Sequence, residues 1–490
     1  MEQSLVGLWG VIVANIAILD IGLKIIALII IPNNRKPSSA TAWLLAIFFI
    51  PIIGVVLFVL LGSSKLANPR KAKQDKITNL VKKQSAHMKL LSKADIPDWF
   101  RSISELNTNL GALPMTGAKS FKLIDEYDKS LSAMVADIKK AKKNISFEFY
   151  IASYDQTTAE LFGELAMAEK RGVKVRVLYD HLASLMLPGY KDMKIFLNQN
   201  NIEHYPMLPV RLFRSRYFQR PDLRNHRKLL VIDGEVGYTG SQNLIDRTYN
   251  KSKNIKRGLM WQELMVKLSG PIINNLEVVF ANDWYAETDQ QLFKNIDFKE
   301  KYRANKTDPI CQIVPSGPGY STENNLKLFN SLMYNAKDTI IITSPYFVPD
   351  ESMLKAICTA AQRGLKVVLF VSEIGDQFFV YHAQRSYYQT LMKAGVRIYM
   401  FKSPYVLHAK HLTIDNEVAV IGSSNMDIRS LELNQEISLL VYGKRFVSGM
   451  RKVEKMYFKN SKELKLATWN KRPYHQKVVD NLARLTSGLQ

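Results

Sequence analysis

Two stretches of this chain place a histidine and a lysine two residues apart, with an aspartate five residues beyond the lysine. They are His226, Lys228 and Asp233 in RNHRKLLVIDG, and His408, Lys410 and Asp415 in LHAKHLTIDNE. The copies lie 182 positions apart (226 to 408), and each runs at the same offset into a glycine turn, GSQN (Gly240 to Asn243) and GSSN (Gly422 to Asn425). A lone His-x-Lys arises by chance on any basic strand, but a second copy with matching Asp and Gly-Ser-x-Asn offsets does not. These residue types suit displacement at a phosphodiester. That reaction needs a nucleophile, a proton donor for the departing alcohol, and positive charge around the phosphoryl oxygens. Two histidines can divide the first two tasks, one neutral and one protonated. Lys228, Lys410, Asn243 and Asn425 can hold the phosphate. On a strand, side chains at i and i+2 share a face, so imidazole and ammonium point the same way. The set holds no carboxylate cluster of the kind that binds magnesium or calcium, so no metal is expected.

The paired motifs resemble those of the phospholipase D superfamily. That resemblance implies an α/β fold of two fused sandwich halves with pseudo-twofold symmetry, one shared site, and a phosphohistidine intermediate. Within the superfamily the whole chain is similar to the bacterial cardiolipin synthases. The matches are RKPSSATAWLL before an apolar proline–glycine segment, RNHRKLLVIDG, SPYFVPDESMLKA, and LHAKHLTID with GSSNMDIRS. The implied activity is phosphatidyl transfer between two phosphatidylglycerol molecules, giving cardiolipin and glycerol. Anionic phospholipid and the membrane are then the partners, and no cofactor is required because the P–N bond keeps the diester's reactivity. The resemblance casts His226 as nucleophile and His408 as acid, then base; the near-symmetric halves give sequence no means of choosing. Glu436 is expected to orient His408, and Glu263 to orient His226. Asp233 and Asp415 belong to the motif, although turn formation at a strand end explains them equally well. Ser241, Ser423 and Ser424 either donate to phosphate or pack the turns, and Tyr150 and Tyr346 read as strand core. The other histidines (His87, His181, His204, His382, His411 and His475) have no counterpart in the opposite half. The chain departs from many relatives at Ser241, where they have a second glycine, at Gln262 and Glu263 in place of Arg-Asp, and at Gln435 in place of an aromatic.

The elements that must position these groups repeat as well. ISFEFYIA, TAELFGELAMAEKRG and VKVRVLYD read as strand, amphipathic helix and strand, and TIIITSPYFV, MLKAICTAAQRG and LKVVLFVSE repeat the order. In both, an Arg-Gly pair ends the helix. The expected organisation is a membrane hairpin over 1–64, a basic juxtamembrane linker over 65–114, a first half over 115–300, and a second half over 301–490. The second half closes on a basic amphipathic tail, Arg472 to Leu485, expected to pack on the domain. The hairpin rests on two apolar runs, 5 to 32 and Trp43 to Gly62, each long enough to cross roughly 30 Å of hydrocarbon as a transmembrane helix. Pro51 and Gly54 keep open the alternative of one span and a re-entrant segment. Lys65, Arg70, Lys71, Lys73 and Lys76 follow the second run, against Arg35 and Lys36 between the runs. The bias favours a multi-pass protein of the cell membrane with a cytoplasmic catalytic region. The net charge of +23 points to an anionic partner. The two apolar runs favour lipid over nucleic acid. A hydrolytic phospholipase D and a membrane-anchored lipid-binding scaffold are the competing functions. Oligomeric state is not encoded in any feature of the sequence.

Overall fold

The structure, a computed structural model, describes residues 2–33, 35–62, 65–66, 68–85, 96–210, 220–293, 296, 308–320 and 322–487. It forms two units, Met1–Lys65 and Leu66–Gln490.

In the smaller unit, α1 (Glu2–Ile30) contains Trp9–Ile30, the one helix among the described residues long and apolar enough to cross a membrane. The second apolar run, expected to be a second span, is not one continuous helix of that length. It is split into α2 (Pro37–Phe49) and α3 (Pro51–Leu61) at Ile50, whose φ of −137° and ψ of 70° leave the helical region. Pro51 supplies no N–H, and its ring restricts Ile50 to non-helical backbone. The two helices turn back on each other. A Cβ on Gly54 would lie 2.7 Å from the Ala46 carbonyl oxygen, so only glycine admits this approach.

The larger unit is built on two sheets of matching plan. The first runs Ser120–Ile124, Met265–Ser269, Val236–Gly240, Lys228–Ile232, Asn144–Phe149, Lys174–Asp180, Glu203–Met207. The second repeats that order with Ile310–Ser316, Glu436–Tyr442, Val418–Gly422, His411–Ile414, Thr339–Thr343, Lys366–Ser372 and Arg397–Phe401. Thr116–Gly117 and Ser461–Glu463 extend its two edges. In both sheets the last three strands of the seven are parallel, and the His-x-Lys strand lies antiparallel between its neighbours. Alternation divides each strand between two cores. Leu229 and Val231 join the core between the sheets, with Ile341, Val368, Ala419 and Ile421, while Leu230 and Ile232 face the helices outside. Helices Ile272–Thr288 and Lys444–Lys459 pack into the shared layer.

Residues expected to be a linker are partly built into this unit. Helix Asp98–Asn109 buries Phe100 and Ile103 in the core of the second half, and Arg70 forms a bidentate pair with Glu287. The C-terminal helix Tyr474–Arg484 packs on Phe378–Lys393, where Asp480 accepts from His382, Arg385 and Arg472. Most of the polar join between the halves, and His87, lie outside the described residues.

Candidate active site

Both His-x-Lys segments end at one place, and backbone pairing across the halves decides what each histidine meets. Asn225 bridges Gln435 in parallel, and the His226 N–H donates to the Gln435 carbonyl at 2.8 Å. In the mirror arrangement Tyr405–Leu407 pairs in parallel with Met260–Gln262, and the His408 N–H donates to the Gln262 carbonyl at 2.8 Å. Each histidine is thereby set beside the glutamate of the opposite half. His226 Nδ1 lies 2.9 and 3.0 Å from the Glu436 oxygens, and His408 Nδ1 lies 2.7 Å from Glu263 Oε1. The expected pairing was the reverse, Glu436 with His408 and Glu263 with His226. The correction follows from the two cross-half bridges, which no local spacing reveals.

Each glutamate is in turn held by the serine of its own turn. Ser241 Oγ donates to Glu263 Oε2 at 2.5 Å, and Ser423 Oγ donates to Glu436 Oε2. The same hydroxyls accept the N–H groups of Leu264 and Ile437 at 2.9 and 3.0 Å. Gly240 and Gly422 make this possible, because a Cβ there would sit 2.3 and 2.2 Å from the carbonyls of Leu264 and Ile437. These serines therefore act on the carboxylates. Lys228 and Lys410 are buried and donate to the carbonyls of His226 and His408 at 2.5 and 2.6 Å. Asn243 donates to the Tyr249 hydroxyl at 2.7 Å, while the buried Asn425 amide oxygen has no protein donor among the described residues.

Asp233 and Asp415 do not reach the site, which corrects their place among the catalytic residues. Both stand at the far end of their strands in left-handed conformation, at φ of 56° and 50°. Asp233 accepts the N–H groups of Lys142, Lys143 and Asn144 at 2.8, 2.7 and 3.0 Å. Asp415 does the same for Lys337, Asp338 and Thr339. At about 3.3 Å per residue, five residues beyond the lysine carry each carboxylate roughly 16 Å from it. Asp233→Ala should thus lower stability by about 1–3 kcal/mol, the cost of stranding donors. Turnover per folded molecule should stay within a few-fold, checked by denaturant melts beside initial rates.

Tyr150 and Tyr346, read as core residues, instead flank the histidines edge-on, at ring distances of 4.6 Å from His226 and 6.4 Å from His408. Arg429 was also missed; its charge acts on His226. A signal for it existed, since Gly-Ser-x-Asn is followed in both halves by an arginine four residues on, Arg247 and Arg429.

The electrostatics of the two histidines differ. Burial, then the charges of Lys228, Lys410 and His408, holds His226 well below its ordinary pKa. Burial also lowers His408, but the Glu263 carboxylate opposes it. Burial acts to raise Glu263; His408, Lys410 and the Ser241 hydroxyl outweigh it and keep that carboxyl below the usual value. Burial pushes Glu436 up to about 7 against Lys228 and the Ser423 hydroxyl. Burial lowers both lysines, Lys410 to about 8 and Lys228 well below its usual value. A bound anion, the charge a phosphodiester carries, would favour the protonated forms of the buried Lys228 and Lys410 that burial disfavours.

The family described as cardiolipin synthase, PLD-like domain, matches residues 134–284 and 329–457, and the phospholipase D-nuclease N-terminal family matches 22–63. This chain belongs to the cardiolipin synthase family. Cardiolipin synthase A of Wigglesworthia glossinidia brevipalpis is 32% identical over 91% of this chain and 90% of its own length. That of Pectobacterium atrosepticum is 31% identical, covering 93% and 94%. Among solved structures, the phosphatidylserine synthase of Haemophilus influenzae Rd KW20 shares the fold, with a TM-score of 0.59 at 14% identity over 81% of this chain and all of that one. Family membership and the apolar N-terminal helix together mark a membrane protein.

Proposed function

We propose that this chain transfers a phosphatidyl group between two phosphatidylglycerol molecules through a covalent phosphatidyl-His226. The observation that carries the reading is the crossed pair of histidine–glutamate contacts, which gives two imidazoles of unlike proton affinity in one buried, cationic site. With Glu436 ionised, His226 keeps its proton on Nδ1 and leaves the Nε2 lone pair free to attack. The ionised Glu263 favours the imidazolium at His408, the form that can donate.

In the first step, a bond forms from His226 Nε2 to phosphorus as the bond from phosphorus to the glycerol oxygen breaks. His408 delivers its proton to that oxygen. In the second step, His408 takes the proton from the primary hydroxyl of a second phosphatidylglycerol. That oxygen bonds to phosphorus, the P–N bond breaks, and His226 returns neutral. The ammonium groups of Lys228 and Lys410 are placed to offset charge on the phosphoryl oxygens. Lys410→Ala should lower kcat about 10²–10³-fold, the usual cost of one such donor, measured as initial rates on phosphatidylglycerol vesicles.

The pH dependence follows from Glu436. If its carboxyl is protonated, its hydroxyl donates to Nδ1 and the imidazole proton moves to Nε2, which removes the nucleophilic lone pair. The productive form needs Glu436 ionised and His408 protonated at once. Because burial raises Glu436 to about 7 and lowers His408 below its ordinary value, activity should peak below about pH 7 and fall as pH rises past it. Ser423 donates to the charged form of Glu436, so Ser423→Ala should raise that pKa, lower the maximal rate and move the high-pH limb upward, seen in kcat/KM profiles.

The catalytic unit is read as cytoplasmic, from the basic residues that follow Gly62. The test is to incubate detergent-purified protein, in chelator, with phosphatidylglycerol as sole lipid and identify the products by mass spectrometry. Cardiolipin with released glycerol is expected; phosphatidic acid alone would make the enzyme a hydrolase.

A further inference from the structure

The halves share strand order and motifs but differ sharply at one place beside the histidines. In the first half the buried Asp180 carboxylate accepts the Asn225 N–H at 2.9 Å and pairs with the buried Arg224 guanidinium at 3.2 Å. In the second half the Leu407 N–H makes the corresponding bond to the Ser372 hydroxyl at 2.8 Å. Ser372 therefore stands where Asp180 stands. Val406, two residues before His408, stands where Arg224 stands, two before His226. A serine and a valine replace an ion pair, and the second half has a pocket there, lined by Ser372, Val406, Tyr346, Asp376, Gln377 and Tyr381 among others. Tyr346 connects it to the site, with its ring edge-on to His408 and its hydroxyl donating to Asp376 at 3.0 and 3.1 Å. The centre of a water-sized group has about 10 Å³ of room, which suits one hydroxyl-sized group.

This inference rests on the mechanism above. In-line displacement sets nucleophile and alcohol on opposite faces of phosphorus. If His226 attacks, every alcohol lies on the His408 side, and only that side needs space for the rest of it. We propose that the pocket is the subsite for the hydroxyl adjacent to the reacting one, so that the alcohol is recognised as a vicinal diol. Asp376 accepts from that hydroxyl. Among the described residues no lysine or arginine lines the pocket, Arg257 reaching only the carbonyl of Gly375 at its edge, so it suits a neutral hydroxyl better than a second phosphate.

The test supplies the purified full chain, on phosphatidylglycerol vesicles, with 1,2-propanediol, 1,3-propanediol or 1-propanol, and quantifies each phosphatidyl-alcohol. The protein should favour the 1,2-diol about ten- to a hundredfold, the worth of one hydrogen bond to a charged group. The double variant Ser372→Asp/Val406→Arg, which restores the first half's ion pair, should lose that preference while still releasing phosphatidic acid. Asp376→Asn should weaken the preference and decides the matter if the double variant does not fold. Equal use of the three alcohols, or an undiminished preference in both variants, would overturn the subsite. Absence of any transfer by the unaltered protein would instead remove the synthase reading itself.

A second observation concerns the smaller unit alone. Arg35, before α2, donates to the carbonyl of Gly62, after α3, at 2.6 Å, so the two ends of this helical pair lie side by side. Its tip is apolar and exposed, with Phe49 at 81% and Ile52 at 78%. At 1.5 Å per residue α2 and α3 reach about 20 and 16 Å, roughly half a bilayer's hydrocarbon. Two backbone bonds flank the break, from the Ile50 N–H to Ala46 and from the Gly54 N–H to Ile50. We infer that α2–α3 is a re-entrant wedge in one leaflet and that α1 alone crosses. Arg35, Lys36 and the basic residues after Gly62 then share one face, while residues 1–8 carry no lysine or arginine.

Single cysteines at Ser4 and Ser38, with Cys311 and Cys358 replaced by serine, would be probed in spheroplasts with an impermeant maleimide. Ser4→Cys should label from outside and Ser38→Cys only after permeabilisation. The opposite pattern, or protection of both, would overturn the wedge.

Discussion

His226→Ala should abolish conversion of phosphatidylglycerol to cardiolipin, with the rate falling by about five orders of magnitude or more. The size follows from the role. A group that forms the covalent intermediate has no substitute nearby, since the remaining imidazole, His408, is committed to the alcohol's proton. Lys228 cannot take over, because its ammonium is turned to the His226 carbonyl. His408→Ala should cost a comparable factor with phosphatidylglycerol, whose alkoxide leaves poorly without a proton, but it should spare the attack itself. A p-nitrophenyl phosphatidyl ester, whose leaving group needs no proton, should therefore still load His226 in the His408→Ala protein. It should not load the His226→Ala protein.

The crossed glutamates make the second large effect specific. Glu263→Gln and Glu436→Gln should each slow cardiolipin formation about 10³–10⁴-fold, as loss of the carboxylate does in a serine–histidine–aspartate triad. Their response to the activated ester should differ. Glu263 serves the proton-transferring His408 at 2.7 Å, so Glu263→Gln should recover adduct formation with the p-nitrophenyl substrate. Glu436 serves the attacking His226, so Glu436→Gln should not recover. Pairing within each half would reverse the two results. Burst kinetics at 400 nm on matched amounts of folded protein would separate these outcomes.

The sequence carries the parts of this site that covalent spacing sets. His226 with Lys228 and His408 with Lys410 share a face because they are two apart on a strand. Gly240 with Ser241, and Gly422 with Ser423, sit at fixed distances along the chain. The repeated strand–helix–strand pattern marks one parallel strand pair in each half, Asn144–Phe149 with Lys174–Asp180 and Thr339–Thr343 with Lys366–Ser372, but not the order of the seven strands. Partnerships made by tertiary pairing were not legible. Glu436 lies closer in sequence to His408 than to His226. Only the Asn225–Gln435 bridge and the pairing of Leu407 with Gln262 turn each glutamate across the interface. Asp233 and Asp415 misled because they recur with the motif, although a strand carries them to its opposite end. Hydropathy sums Trp43 to Gly62 as one run and does not register the break at Ile50 that divides it into two helices. The stretch before residue 115 has a polar composition, and the helix holding Phe100 and Ile103 joins the core by packing that no repeat announces.

The measurement that most directly tests the account is to load the His408→Ala protein with the p-nitrophenyl phosphatidyl ester and quench in alkali, where phosphohistidine survives. Peptide mass spectrometry then locates the adduct. A phosphatidyl group on the peptide containing His226 is the expected result. Its appearance on any other residue, or a burst of p-nitrophenol with no adduct, would contradict the assignment of His226 as the nucleophile.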